Sequence, residues 1–178
     1  MKRNWLIKLR KSKKLKQADI AGQIPINRGY YSQIELGVRN PSEPISKAIG
    51  RILNFDPSLL LFDSSAFKEA FSQTGSLLAH SDLDLRYTWI YSPNHQQKAD
   101  NLIGLRDDES DFWPNSSNLI KLKEEVINLK SSSLVIMNID CNEEIHTYLF
   151  LGYPLIDSCR DLFGVGLMVM RIYDTQSD

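Results

Sequence analysis

The stretch QADIAGQIPINRGYYSQIELGVRNPS, Gln17–Ser42, decides how the rest of the chain is read. Gln17 to Ile24 predicts a helix with Ala18, Ile20, Ala21 and Ile24 turned inward. Pro25 breaks it, because proline lacks an N–H and crowds the preceding turn. Asn27 has the chemistry to cap a further helix from about Arg28 to Leu36, and Gly37 suits the stop. Two short helices joined by a tight turn form a helix-turn-helix. Upstream, Trp5, Leu6 and Leu9 place an apolar stripe on a first helix. Downstream, Pro41-Ser42 opens a fourth helix carrying Ile45, Ile49, Ile52 and Leu53. Asp56-Pro57 opens a short fifth through Leu59–Phe62, since proline fits a helix's first turn. Residues 4–62 therefore read as an all-α module of five short helices.

The spacing Gln17-x-x-Ile20-Ala21, then Asn27-Arg28-x-x-Tyr31-Ser32-x-Ile34-Glu35-x-Gly37-x-Arg39-x-Pro41-Ser42, resembles the phage-repressor (Cro/repressor-like, XRE) helix-turn-helix family over roughly residues 4–61. The resemblance implies that the third helix enters a DNA major groove and shows its N-terminal side chains to base edges. The outward positions are Arg28, Gly29, Tyr30, Ser32 and Gln33, while Tyr31 and Ile34 face the core. Arg28 can donate two hydrogen bonds to guanine and Gln33 can pair with adenine. Tyr30 suits a thymine methyl or a phosphate. Gln17 is expected on a phosphate at the start of its helix, as in the resembled family. Lys16, Asn27, Arg39 and Asn40 complete the DNA-facing set, with Arg39 and Asn40 suited to the backbone. Arg39 as a mere helix cap and Gln33 as an idle surface residue stay open. Arg10 and Glu35 match an internal ion pair of the family. Two departures stand out: Pro25 occupies a turn position where the family usually has glycine, and Gly29 removes a side chain from a readout position.

Charge agrees with that division. Residues 1–63 hold 12 basic against 5 acidic residues, net +7, and residues 64–178 hold 9 against 17, net −8. A basic and an acidic half suggest modules with different partners. Eight of the first sixteen residues are basic and none is acidic. A basic N-terminus with no apolar stretch behind it, and no long uncharged apolar run, predict a cytoplasmic protein without membrane contact. Cys141 and Cys159 lack metal-ligand spacing and are expected as free thiols.

After a connector helix over 64–75, carrying Ala66, Phe67, Ala70 and Phe71 and stopped by Gly75, the pattern turns mixed. Ser76–His80 and Leu85–Tyr91 read as strands around an Asp82-Leu83-Asp84 turn. Residues 92–116 read as irregular with short helical pieces. Ser117–Leu129 is an amphipathic helix with Leu119, Ile120, Leu122, Val126 and Ile127. Ser133–Ile139, Ile145–Tyr153 and Leu162–Tyr173 are three long strands, the first two joined at Cys141-Asn142. This order predicts an α+β domain with a five-stranded antiparallel sheet. DLRYTWIYSP (Asp84–Pro93) and LIGLRDDE (Leu102–Glu109) resemble stretches of PAS domains in bacterial sensor proteins, over about residues 65–174. The resemblance implies a 76–178 domain that dimerises or binds a small ligand, haem or flavin between sheet and helices. Trp89, Tyr91, Trp113 and Tyr148 are the candidate pocket residues, with Phe112 and Phe150 beside them; filling the core explains them equally. Haem would need an axial ligand, for which His80, His95 and His146 are the only histidines. Neither cysteine sits in a photoactive flavin motif. No cofactor is expected outright. Asp107, Asp108, Glu109 and Asp111 suggest a metal site or, more plainly, a loop acid cluster.

No P-loop, GxSxG, HExxH or kinase glycine-rich loop is present, so no enzyme is expected. The fold class is thus multidomain: an all-α helix-turn-helix domain (1–63), a connector and an α+β PAS-like domain. The expected function is sequence-specific DNA binding by a bacterial transcriptional regulator, as a homodimer on double-stranded DNA, with a possible small-molecule effector. The alternative is a protein-interaction regulator whose helix-turn-helix pairs with another protein.

Overall fold

The computed structural model describes residues 2–61, 71–93, 95–141, 144–157 and 159–172. The N-terminal module holds α1 (Asn4–Ser12), α2 (Gln17–Ala21), α3 (Arg28–Glu35), α4 (Glu43–Leu53) and α5 (Ser58–Leu61). Leu6, Leu9, Ile20, Tyr31, Ile34, Ile49, Leu53 and Leu60 fill its core, each all but excluded from solvent. Leu6, Leu9, Ile20, Ala21, Ile49 and Leu53 are inward as the helical periodicity predicts, and Ile24, Ile45 and Ile52 are half-buried. Ala18, predicted inward, is exposed, because two residues from Ile20 it points to the other side of the short α2.

One helix is shorter than predicted. α2 ends at Ala21, with Gly22 still in right-handed helical backbone, and Ile24, the residue before proline, is disfavoured in helical backbone. The chain turns instead with the Ile26 N–H donating to the Ile24 carbonyl at 2.7 Å, a three-residue turn centred on Pro25. A proline's fixed negative φ fits that turn. No residue from Gly22 to Asn27 takes a positive φ, so the turn is built without the left-handed residue that glycine usually supplies.

The C-terminal domain holds β1 (Leu77–Asp82), β2 (Tyr87–Tyr91), α6 (Gln96–Ala99), α7 (Ser116–Leu129), β3 (Ser133–Cys141), β4 (Glu144–Ile156) and β5 (Leu162–Ile172), with single 3-10 turns at Asp100–Leu102 and Asp107–Glu109. The five strands pair antiparallel in the order β2-β1-β5-β4-β3, the α+β plan that the PAS resemblance implies. β2 starts two residues later than predicted. Leu85 has φ 62 and belongs to the turn, where Asp82 Oδ1 accepts the Asp84 and Arg86 N–H groups at 3.1 and 3.0 Å. The 63/64 boundary and the connector stripe at Ala66, Phe67 and Ala70 lie outside the described residues, as do Asn142 and Tyr173; residues 71–74 are helical and Gly75 ends them at φ 65.

Register sorts the sheet's two faces. His80 lies opposite Trp89 and Gly166, and Gly166 opposite Tyr153, so these four share one face. Ala79, Ile90, Leu167 and Gly152 share the other. α7 covers the second face through Leu119, Leu122 and Val126; a Cβ on Gly152 would come within 2.9 Å of Val126. The two modules touch. α1 lies against β2 and the Asp100–Leu102 turn, the Lys8 ammonium donates to Asn101 Oδ1 at 2.8 Å, and one contiguous apolar core runs through both. No helix among the described residues is long and apolar enough to cross a membrane.

Candidate nucleic-acid interface

α3 is presented by a frame of buried charge. The Arg10 guanidinium grips Glu35 through Nε to Oε1 at 2.6 Å and Nη2 to Oε2 at 3.2 Å, and donates to the Leu15 carbonyl at 2.8 Å. Both partners are buried, and the Glu35 hydrogen bond raises the Arg10 pKa against the desolvation that lowers it. This fork holds the inner face of α3 to α1. It places the Arg10–Glu35 ion pair where the family resemblance implied it.

A second clamp was not read from the sequence. Arg3, only 6% exposed, donates to the Ile34 carbonyl at 2.7 Å, to the Arg39 carbonyl at 3.2 Å and to Asn40 Oδ1. Its own N–H bonds the Glu35 carbonyl at 2.9 Å. A cation satisfies the unpaired carbonyls at a helix C-terminus. Arg3 therefore fixes both the end of α3 and the loop behind it. The only sequence signal was an arginine amid a basic run, which gave no sign of a clamp.

The outward residues divide by what holds them. Arg28, Gly29 and Gln33 are exposed on α3, and Tyr30 and Ser32 are half-buried beside them. Asn27 caps the helix, its Oδ1 accepting the Tyr30 N–H at 2.8 Å. A Cβ on residue 29 would stand 3.2 Å from that oxygen, so Gly29 leaves room for the cap. Arg39 lies over the Tyr30 ring, 5.1 Å from its centroid, which fixes a cation beside the readout edge. Asn40 is exposed but its oxygen is held by Arg3. Lys16 is exposed at the start of α2, where its N–H bonds Asp19 Oδ2 at 2.6 Å. Gln17 departs from expectation: its amide donates inward to Glu35 Oε2 at 2.8 Å, so its side chain serves the buried frame in this structure.

The C-terminal quartet is not brought together. Trp89 and Tyr91 stack, 6.5 Å apart, on the sheet face away from α7, with His80 5.2 Å from Trp89. Trp113 packs edge-on to Phe150, 5.5 Å away, on the α7 face, where Tyr148 also contacts Phe150. A pocket shared by Trp89, Tyr91, Trp113 and Tyr148 is thus corrected to two separate pairs, because the sheet lies between them.

Beneath Trp113 is a buried polar group. Lys123 and Asp107 form a fully buried ion pair at 2.7 Å. Tyr87 donates to Asp107, Trp113 Nε1 donates to the Tyr87 hydroxyl at 2.9 Å, and the Lys123 ammonium sits 3.9 Å from the Tyr87 ring centre. Burial pushes the Tyr87 phenol up, with Asp107 adding to it. Two of the other loop acids have their own partners: Asp108 with Arg106, Glu109 with Arg86. Among the described residues no group of three metal-ligating side chains converges. His95 is exposed, His146 meets Arg171 at 2.7 Å, and His80 is buried with no partner at Nδ1. Cys159 is a free, exposed thiol.

The family described as a helix-turn-helix domain matches residues 5–62. Over 63 residues the chain is 43% identical to a Bacillus subtilis (strain 168) protein named as an uncharacterized HTH-type transcriptional regulator, YqaF, a match covering 35% of this chain and 83% of that protein. Two structures of Vibrio cholerae VqmA are similar in fold. One, described as a VqmA dimer in the absence of target DNA, superposes with TM-score 0.54 at 18% identity, over 63% of this chain and 52% of that one. The other, a VqmA–ligand–DNA complex, gives TM-score 0.53 with the same identity and coverage. The chain spans about half the length of those VqmA chains, 52% in both.

Proposed function

Because this chain belongs to the helix-turn-helix transcriptional regulators, we propose that it binds a specific DNA sequence as a homodimer and that its C-terminal domain holds the dimer and senses a small effector. The observation that carries the DNA reading is the outer edge of α3. Arg28 and Gln33 are exposed there, while Arg10, Glu35 and Arg3 hold the helix rigidly from behind. Arg28 reads a guanine and Gln33 an adenine; Lys16 and Arg39 grip phosphates. With its side chain held by Glu35, Gln17 offers a phosphate only its backbone N–H at the start of α2, and Asn27 and Gly29 shape the first turn of α3 against the groove. Two recognition helices about 34 Å apart read successive half-sites, which favours a symmetric pair. The solved VqmA structures, a dimer and a ligand–DNA complex by their descriptions, support the same arrangement. Selection of bound fragments from random DNA with purified protein tests this: one enriched motif, bound with steep salt dependence, is expected.

A protein-docking reading has one observation in its favour. Leu36 and Val38, just after α3, are 48% and 74% exposed and apolar. Failure to enrich any DNA motif, with binding to another protein that Val38→Ser abolishes, would favour it.

A further inference from the structure

The two modules meet at a corner where backbone and side chain nearly touch. Gly104 has φ +87, and a Cβ there would lie 2.5 Å from the Ser12 Cβ. Beside this contact is a cleft of about 180 Å³. Its α1 side is Leu9, Ser12 and Lys13; its other side is Asp82, Arg86 and the Tyr87–Gly104 wall. Arg86 is already engaged, by Glu109 at 2.7 and 2.8 Å and by the Gly104 carbonyl at 2.9 Å. Asp82 Oδ2 and the Lys13 ammonium have no such partner among the described residues. Asp82 is 6% exposed, and both of its side-chain hydrogen bonds fall on Oδ1, leaving Oδ2 without a hydrogen bond among the described residues. Lys13 makes no ion pair among the described residues, although its charge is near enough to pull the Asp82 carboxyl down against the burial that raises it. An anion and a cation therefore line one small cleft without touching.

The size of the space restricts what bridges them. At about 30 Å³ of liquid volume per water, the cleft corresponds to about six waters, or a molecule of roughly six to eight heavy atoms. That is far below the usual drug-sized pocket. A simple anion would match Lys13 and repel Asp82; a simple cation would do the reverse. A zwitterion matches both, and Leu9 offers an apolar contact for a short side chain. We propose that this cleft binds a free α-amino acid of alanine-to-threonine size, its ammonium on Asp82 and its carboxylate on Lys13. The occupant touches α1 of the DNA-binding module and the β1–β2 corner of the C-terminal domain at once. It thereby favours the docked arrangement of the two over any other, by its difference in affinity for them. The regulatory consequence rests on the reading of the C-terminal domain as a sensing module; the site itself does not require DNA.

The test uses the purified full chain without DNA. Thermal melts and titration calorimetry are run with glycine, alanine, serine and threonine, and with N-acetylalanine and alaninamide, which each lack one of the two charges. At least one amino acid is expected to bind and to raise Tm by roughly 5–10 °C at about a hundred times its Kd. The two single-charge analogues are expected to do neither. Lys13→Met, at the edge of α1, is expected to lose the response with its own melting curve otherwise intact. Asp82→Asn, which keeps the oxygen that accepts the turn's N–H groups, is expected to lose it too. No shift with any amino acid, an equal shift with N-acetylalanine, or a full response in Lys13→Met overturns the proposal. DNA binding is measured separately. A chain that binds DNA and ignores amino acids removes this site alone, and one that binds amino acids but no DNA removes only the DNA reading.

Discussion

Glu35→Gln separates what holds the recognition helix from what the helix reads. The Glu35 carboxylate accepts from Arg10 Nε at 2.6 Å, Arg10 Nη2 at 3.2 Å and Gln17 Nε2 at 2.8 Å. The ion pair's side chains are 9% and 2% exposed, so water replaces little of what is lost. Glutamine preserves the shape but leaves the buried guanidinium without an anion. Breaking one side of a buried pair costs about 3–5 kcal/mol. A chain of this size loses about 2–4 °C of Tm per kcal/mol, so a fall of roughly 6–20 °C is expected if both modules unfold together, and more if the first module unfolds alone. Scanning calorimetry gives the Tm; fluorescence anisotropy on the selected DNA fragment, well below that Tm, gives the affinity. The variant is expected to melt early yet to keep its sequence preference wherever it is folded. An unchanged Tm with lost sequence preference would refute the reasoning and put Glu35 in the DNA interface itself.

Arg28→Ala is expected to cost about 1–3 kcal/mol in DNA affinity per half-site and relax choice at one base pair in each, with Tm unchanged; Lys16→Ala, which removes one phosphate contact from each protomer, should weaken all sequences alike and reduce the salt slope by about two, both seen by anisotropy and repeated selection. In the C-terminal domain, Lys123→Met and Asp107→Leu should each cost about 3–5 kcal/mol in urea unfolding, whereas the double variant should recover most of it, because an apolar pair leaves no buried charge unmatched. His80 predicts acid sensitivity. Burial lowers its pKa from the ordinary 6.5 to about 4, opposed by Asp56. A lowered folded pKa means that stability is full above pH 6.5 and is lost as pH falls toward about 4, by about 3 kcal/mol at most. His80→Phe should flatten urea-midpoint measurements across that window; an unchanged slope assigns the acid loss to other groups.

The helix-turn-helix was legible because its signals are local. The cap at Asn27, the stop at Gly37 and the apolar stripes each depend on residues a few positions apart. What escaped depends on distance in the chain. Arg3 reaches Asn40 across 37 positions, and nothing in the basic run marked it as a clamp. Lys8 and Lys13 stand in the sequence as members of the basic N-terminal run, yet they face the C-terminal domain. Gln17 lies where the resembled family meets phosphate, but Glu35 draws its side chain inward. Gly29 read as a lost readout side chain, and its cost emerges only beside the cap oxygen. In the C-terminal domain, the strands followed from alternation and turn residues, but the placement of the aromatic quartet did not. Trp89 and Tyr91 are paired with His80 and Leu78 on the face away from α7, a placement set by pairing with β1 that no local pattern within β2 reveals. Lys123 was invisible for a related reason: a charged residue in an amphipathic helix reads as solvent-facing until its partner, 16 residues earlier, is brought beneath it.

The salt dependence of DNA affinity bears most directly on the claim that α3 reads a duplex with cations gripping its rails. With Lys16 and Arg39 on phosphates in each of two protomers, log Kd for the selected fragment should change against log salt with a slope of about 3.5 or steeper. A flat line, or no fragment retained even at low salt, would contradict it.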